Sequence, residues 1–485
     1  EPGDGEEPGD GEEPGDGEEP GDGEEPGDGE EPGDGEEPGN SPGNGGNNPG
    51  SGNQSETDGP GSIGDIVIGD SENRLGTGTV IEEGGRTVIA VEFDEEAVLN
   101  HLEQEEQGAV LTIDAASADG ADGVSGRLNG EIVKRMELKE AVLVIRTESV
   151  SYTLPAAHIR IDEISSRFEN VTSLDDIAIY IEVANADSGQ MALLEVAAER
   201  EAFTAVLPPV NFTVRAEFGG QSIEVQKFSA YVERELALPE GADPGKVTTG
   251  VILHDDGTVT HVPTYIEQRG DRYVVKLNSL TNSAYSVIYN LKTFADAEGH
   301  WAERWINEMG SRKVVEGKAG RQFRPGDPVT RAEFAAMLVR ALGLSDKAGA
   351  SGDAGLYTDV SGADWHFGAV MKATEYGLVN GLDDGSFRPD DLITREQAMA
   401  MMHRAMAIAG AAAEYETADG ILAQYADGLA VSEWAKTAAA EVVQAGIFNG
   451  SAGALRPQAA MTRAEAAVVL YRLLAAAELI NPIQS

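Results

Sequence analysis

Three stretches in the C-terminal part of the chain repeat one another, with a period of 64 and then 68 residues counted between Arg331, Arg395 and Arg463. Repeats of this size constrain the fold strongly, because each copy is one supersecondary unit that must bury its apolar face against its neighbours. The copies read FADAEGHWAERWINEMGSRKVVEGKAGRQFRPGDPVTRAEFAAMLVRALGL, YTDVSGADWHFGAVMKATEYGLVNGLDDGSFRPDDLITREQAMAMMHRAM and YADGLAVSEWAKTAAAEVVQAGIFNGSAGALRPQAAMTRAEAAVVLYRLL. All three share an aromatic-x-Asp opening (Asp296, Asp359, Asp427), a Trp at a first helix (Trp301, Trp365, Trp434) and a Gly-bearing turn (Gly317, Gly381, Gly450). An Arg-Pro dipeptide and a Thr-Arg start to a second helix complete each copy. The expected unit is helix, loop, helix, which makes this region all-α.

These motifs resemble the S-layer-homology family, whose signature is a D-x-W-type opening, a G-x-x-x-G-x-F-x-P loop and an I-T-R-A-E motif in three tandem copies. The resemblance covers about 190 residues. It implies a pseudo-threefold helical spindle at the end of a surface protein, with grooves between adjacent copies that bind secondary cell-wall polymer, notably terminal pyruvylated N-acetylmannosamine. It further implies an extracellular location at the cell wall of a Gram-positive bacterium, with S-layer neighbours as further partners. The second copy departs from the pattern with TREQ, and the third has Leu455 where Phe323 and Phe387 stand in the others. Unequal binding by the three grooves is therefore expected.

In Thr330-Arg331-Ala332-Glu333 the Thr and Glu stand three apart before an apolar helix, the arrangement of a capping box. Thr462 with Glu465 repeats it, and Thr394 with Gln397 is the Gln variant. An arginine at the first helical position is different, because it sets a cation at the positive end of the helix dipole. Helix stability does not explain it, whereas a guanidinium beside free helix-start N–H groups suits an anion and matches a carboxylate bidentately. Arg331, Arg395 and Arg463 are the first candidates to grip the pyruvyl carboxylate that the resemblance implies. The competing reading is an ion pair to a neighbouring repeat.

The tryptophans read either as core anchors or as flat faces for stacking on a sugar ring. Asp296, Asp359 and Asp427 suit sugar hydroxyls or helix caps equally. Gly317, Gly381 and Gly450 supply turn geometry or let backbone approach a ligand closely. Arg324, Arg388 and Arg456, each before a proline, read as solvated surface or as a second cation in each groove.

Upstream, residues 1–36 are six copies of EPGDGE, followed by Asn/Gly/Pro/Ser-rich sequence to about residue 60. Such a segment has few apolar side chains to offset chain entropy, and carboxylate repulsion extends it, so it reads as a disordered acidic spacer. The chain starts with Glu inside a repeat, which suggests a piece of something longer. Residues 61–292 alternate apolar runs of strand length with amphipathic segments, which predicts an α+β stem. A hairpin is expected around Glu83 to Gly85 and another around Asp256-Gly257, with Asp94 capping a helix that runs to Glu106. Two subdomains, 61–167 and 168–292, are expected, dividing near Phe168, and then repeats at 293–348, 356–412 and 424–480. Only Leu291 to Thr293 link the last strand to the first repeat, so the stem should dock against the spindle.

The formal net charge is −50, which leaves no basic stripe for nucleic acid. No apolar run approaches the roughly 18 residues of a membrane span. There is no cysteine, no HExxH, no G-x-S-x-G, no Walker-type loop and no LPxTG-like signal near the C-terminus. His254 and His261 flank a hairpin without an evident third ligand, so no metal and no cofactor are expected. The chain thus reads as a multidomain, non-enzymatic wall anchor attached non-covalently. The alternative is the anchor and stem of a larger glycan-active enzyme or adhesin whose active domain lies upstream.

Overall fold

Glycine turns set the register of the first strands. Gly84 and Gly85 both take positive φ (61° and 78°), the conformation that a two-residue hairpin demands, and they join Gly76–Glu83 to Arg86–Phe93. The second expected hairpin forms as well, with Gly257 at φ 72° between Thr249–Leu253 and Val259–Val262. Asp94 caps the helix Glu95–Gln104 by accepting from the Ala97 N–H, and Asn129 caps Gly130–Leu138 in the same way. These features belong to a computed structural model that describes residues 67–68, 75–117, 120–318, 321–346, 355–411 and 417–483. The spacer expected over residues 1–60 lies outside the described residues.

Two mixed sheets form the body before the repeats. The larger orders its strands Val259–Val262, Thr249–Leu253, Ala284–Tyr289, Thr204–Phe218, Ala178–Asn185, Gly123–Asn129, Arg86–Phe93 and Gly76–Glu83, with Gln221–Glu224 paired to Thr204–Phe218. The smaller runs Val67–Ile68, Val110–Asp114, Val142–Arg146, Val150–Pro155, Val232–Ala237, Arg272–Ser279 and Thr264–Arg269. Alternation aims one face of each strand inward, as in Ala178–Asn185, where Ile179, Ile181 and Val183 are buried. Side chains of both sheets meet in one core, with Ile89 and Val124 from the larger and Leu111 and Leu143 from the smaller. Arg234 is fully buried there, donating to Val232 O, Thr281 O and Asn282 Oδ1 at 2.7 to 2.8 Å and lying over the rings of Tyr152, Phe212 and Tyr285.

This topology corrects the expected architecture. Both sheets take strands from either side of Phe168, so residues on the two sides share a single core instead of forming two subdomains. The described residues before the repeats do pack against them, as the short link at Leu291 to Thr293 implies. Tyr231 donates to Leu342 O at 3.0 Å, Asn290 Nδ2 to Ser311 O at 2.6 Å, and Asn481 exchanges two hydrogen bonds with the Ile266 backbone at 2.7 and 2.8 Å.

The repeat region also departs from the all-α expectation. Its long helices are Glu303–Ser311, Arg331–Ala341, Phe367–Glu375, Arg395–Ala409, Lys436–Gln444 and Arg463–Ala476. At their centre, however, lie three short extended segments joined by β-bridges. The Val329 N–H donates to Met461 O at 2.9 Å, Met461 to Ile393 O at 3.0 Å and Ile393 to Val329 O at 3.0 Å, closing a ring of three. Extended backbone wins here because three chains converging on one axis satisfy their N–H and C=O groups only by pairing with each other.

Candidate functional site

Each Thr-Arg helix begins beside this ring. Its capping box forms in all three copies: Thr330 with Glu333, Thr394 with Gln397 and Thr462 with Glu465. The helix-start N–H groups are not free, contrary to the sequence expectation. The Arg331 N–H donates to Asp391 O at 2.9 Å and Ala332 to Pro389 O at 3.0 Å, and Arg395, Glu396, Arg463 and Ala464 make the matching bonds to the next Arg-Pro loop. Sequence reasoning missed this because the partners lie in another repeat.

The arginine side chains are themselves largely buried and reach across to the next repeat. Arg331, Arg395 and Arg463 are 6, 5 and 4 % exposed, and each donates its Nε to a carbonyl of the following repeat: Phe387 O at 2.9 Å, Leu455 O at 2.7 Å and Phe323 O at 2.8 Å. Arg331 and Arg463 lie over the rings of Phe387 and Phe323 at 4.9 and 4.8 Å from the centroids. Leu455 removes that ring in the third copy, and Arg395 faces Phe448 at 5.6 Å instead. Burial lowers the pKa of all three guanidinium groups from the usual value. Guanidinium titrates so far above neutrality that the charge stays.

The other motif residues are locked together. Asp296 accepts from the Phe323 and Arg324 N–H groups at 2.8 and 2.7 Å, and Asp359 and Asp427 accept from the equivalent pairs at 2.7 Å. Desolvation works against the carboxylates of Asp296 and Asp427, but these N–H donors outweigh it and hold both below the usual range. They also pin Arg324, Arg388 and Arg456 at positive φ (59°, 56° and 53°), an uncommon conformation for a side-chain-bearing residue. Gly317, Gly381 and Gly450 do not take positive φ. They are required by close packing, since an added Cβ would meet the ring of Phe294 at 3.2 Å, of Tyr357 at 2.6 Å and of Tyr425 at 2.6 Å.

Trp301, Trp365 and Trp434 are 60, 63 and 60 % exposed, so they are not core anchors. They stand at the edges of three grooves of about 650, 490 and 470 Å³. The first groove combines Gly317 and the Arg331–Ala341 helix with Trp365 and Arg463. The second combines Gly381 and the Arg395–Ala409 helix with Trp434 and Arg331. The third combines Gly450 and the Arg463–Ala476 helix with Trp301 and Arg395. Each groove therefore draws its loop and wall from one repeat, its Trp from the following one and its Arg from the preceding one, in cyclic order. Arg, Gly and Trp of the predicted set come together, while Asp296, Asp359 and Asp427 stand behind the loops and are not among the groove-lining residues. Of the Arg-Pro set, Arg456 lines the third groove.

The S-layer homology domain matches residues 293–335, 356–399 and 424–467. The chain carries three S-layer homology domains. It is similar to an amylopullulanase of Thermoanaerobacterium thermosulfurigenes, 32 % identical over half of this chain and 13 % of that protein. An exoglucanase of Acetivibrio thermocellus is 34 % identical over 40 % of this chain and 17 % of its own length. The surface-layer 125 kDa protein of Lysinibacillus sphaericus is 29 % identical over 36 % of this chain and 14 % of its own. The chain thus spans under a fifth of the length of these curated relatives. Its S-layer homology domains make it a cell-surface protein, anchored at the wall through the repeats.

Proposed function

We propose that the three grooves hold the acidic terminus of secondary cell-wall polysaccharide, a pyruvylated N-acetylmannosamine, and so attach the chain non-covalently to a Gram-positive wall. The observation that carries this reading is the pairing, in every groove, of a guanidinium with an exposed indole face. A guanidinium matches a carboxylate, and an aromatic face packs against the apolar side of a sugar ring. The full chain should sediment with purified wall sacculi, and stripping the wall polymer with hydrofluoric acid should abolish sedimentation. Equal binding to stripped and intact walls refutes the polymer assignment.

The residues before the repeats serve, in this reading, as a non-catalytic stem for a larger surface protein. Relatives named as glycan-degrading enzymes and as surface-layer proteins support both kinds of cargo. Turnover of starch, xylan or β-glucan by this chain alone would overturn the non-enzymatic reading.

A further inference from the structure

The second groove departs from the other two at the residues that face its arginine. In the third groove Glu465 Oε1 lies 2.8 Å from Arg395 Nη1. In the first, Glu333 Oε1 lies 4.0 Å from Arg463 Nη1, and Arg463 Nη2 donates to Glu316 O at 2.6 Å. The equivalent residue in the second groove is Gln397, and among the described residues no carboxylate lies within 4.0 Å of the Arg331 guanidinium. Asp391 and Asp359 act on it from farther away. Gln397 keeps the helix cap, its Oε1 accepting from the Thr394 N–H at 3.1 Å, so the other end of its amide is a donor where the other grooves carry an acceptor.

The neighbouring departure acts on the same groove. Glu396 replaces the alanine of the other two copies, and it is buried. Its carboxylate accepts from Ser432 N at 3.0 Å and Ser432 Oγ at 2.9 Å. Ser432 starts the short turn Glu433–Ala435 that bears Trp434, the indole of the second groove. TREQ therefore frees the cation and fixes the aromatic face in one groove.

Net charge of the lining points the same way for the first groove, which carries four carboxylates against three cations. The third groove is the more positive of the remaining two, with Arg395, Arg456 and Arg472 against Glu465, where the second sets Arg331 and Arg404 against Asp383. The central guanidinium of the third groove is already engaged, however, and a ligand carboxylate there must displace Glu465 or sit beside it, and like charges repel.

Building on the wall-polymer reading, we propose that the second groove is the principal site for the carboxylate-bearing sugar, with Gln397 and Glu396 as its specificity-determining residues. Calorimetric titration of the full chain with pyruvylated N-acetylmannosamine tests this, with the unpyruvylated sugar as the carboxylate control. The unaltered chain should show one tight class of site, and Gln397→Glu should weaken it by about tenfold or more, the scale of one charge-assisted hydrogen bond. Folding is not at risk in that variant, since Glu occupies this position in the other two capping boxes. Arg331→Ala should remove the tight class and Glu396→Ala should weaken it, whereas Glu465→Gln should raise a second site to comparable affinity. Unchanged binding by Gln397→Glu, or loss of the tight class with Arg395→Ala but not with Arg331→Ala, overturns the groove order while leaving the polymer reading intact. No binding by the unaltered chain, or equal binding of the two sugars, overturns both.

Discussion

Arg395 of the second repeat and Glu465 of the third form an ion pair of 2.8 Å between Nη1 and Oε1, at the wall of a groove that also receives Trp301 from the first repeat. One contact thus serves two ends: it ties repeats together, and it neutralises a cation that a ligand would otherwise meet. Arg331 in its own groove has the backbone bond to Phe387 O without such a partner.

Removing Arg395 should therefore destabilise more than removing Arg331. Arg395→Ala deletes a buried hydrogen bond and leaves Glu465 unpaired, a loss of about 2 to 4 kcal/mol given that Glu465 retains some access to water. Arg331→Ala deletes the hydrogen bond and the ring contact, about 1 to 2 kcal/mol. Denaturant midpoints check the order, and the reverse ranking would contradict the role assigned to the pair.

Gly450→Ala should cost about 1 to 3 kcal/mol, because the new Cβ would lie 2.6 Å from both Ala454 O and the Tyr425 ring. Gly362, which lines the first groove, has nothing within 4 Å of a built Cβ, so Gly362→Ala should leave thermal stability nearly unchanged. Comparable melting shifts for the two variants would dismiss close packing as the reason for the conserved pattern within the repeats.

Trp434→Ala should separate stability from binding. The indole is 60 % exposed, so the melting temperature should hold, with a change within about 0.5 kcal/mol. Wall sedimentation should fall several-fold. A large drop in melting temperature with unchanged sedimentation would assign the residue to packing.

The junction with the repeats should weaken in mild acid. His261 is buried, with Nδ1 bonded to Thr249 Oγ1 at 2.7 Å, and burial, aided by the Arg312 charge, lowers its pKa well below the usual value. A depressed folded-state pKa means that the unfolded chain takes up the proton first. The contribution is fully present above the unfolded value of about 6.5 and is lost as the pH falls below it toward the folded value. His261→Gln should flatten the decline in melting temperature between about pH 6.5 and pH 5; an unchanged slope would place the titration elsewhere.

Local features were legible before the fold was seen. Thr and Glu or Gln three residues apart announce a cap because the donor, acceptor and helix start all lie within one turn, and all three boxes form. The glycine hairpins at Gly84-Gly85 and Gly257 follow from φ preferences of the same short range. The arginines were nominated because their charge contradicts the helix dipole. The physical account attached to them was incomplete, since the helix-start N–H groups are taken by carbonyls of the next repeat.

By itself, then, the sequence determined the repeat, its caps, its turns and the residue types that each groove receives, all set by interactions a few residues apart. Tertiary structure alone decided which copies meet: Arg from one, loop and wall from the next, Trp from the third, around a ring of Val329, Ile393 and Met461. It also decided that strands on both sides of Phe168 share two sheets. Pairing across 60 or more residues, as between Arg395 and Leu455, depends on how whole units pack, and local periodicity carries no record of that.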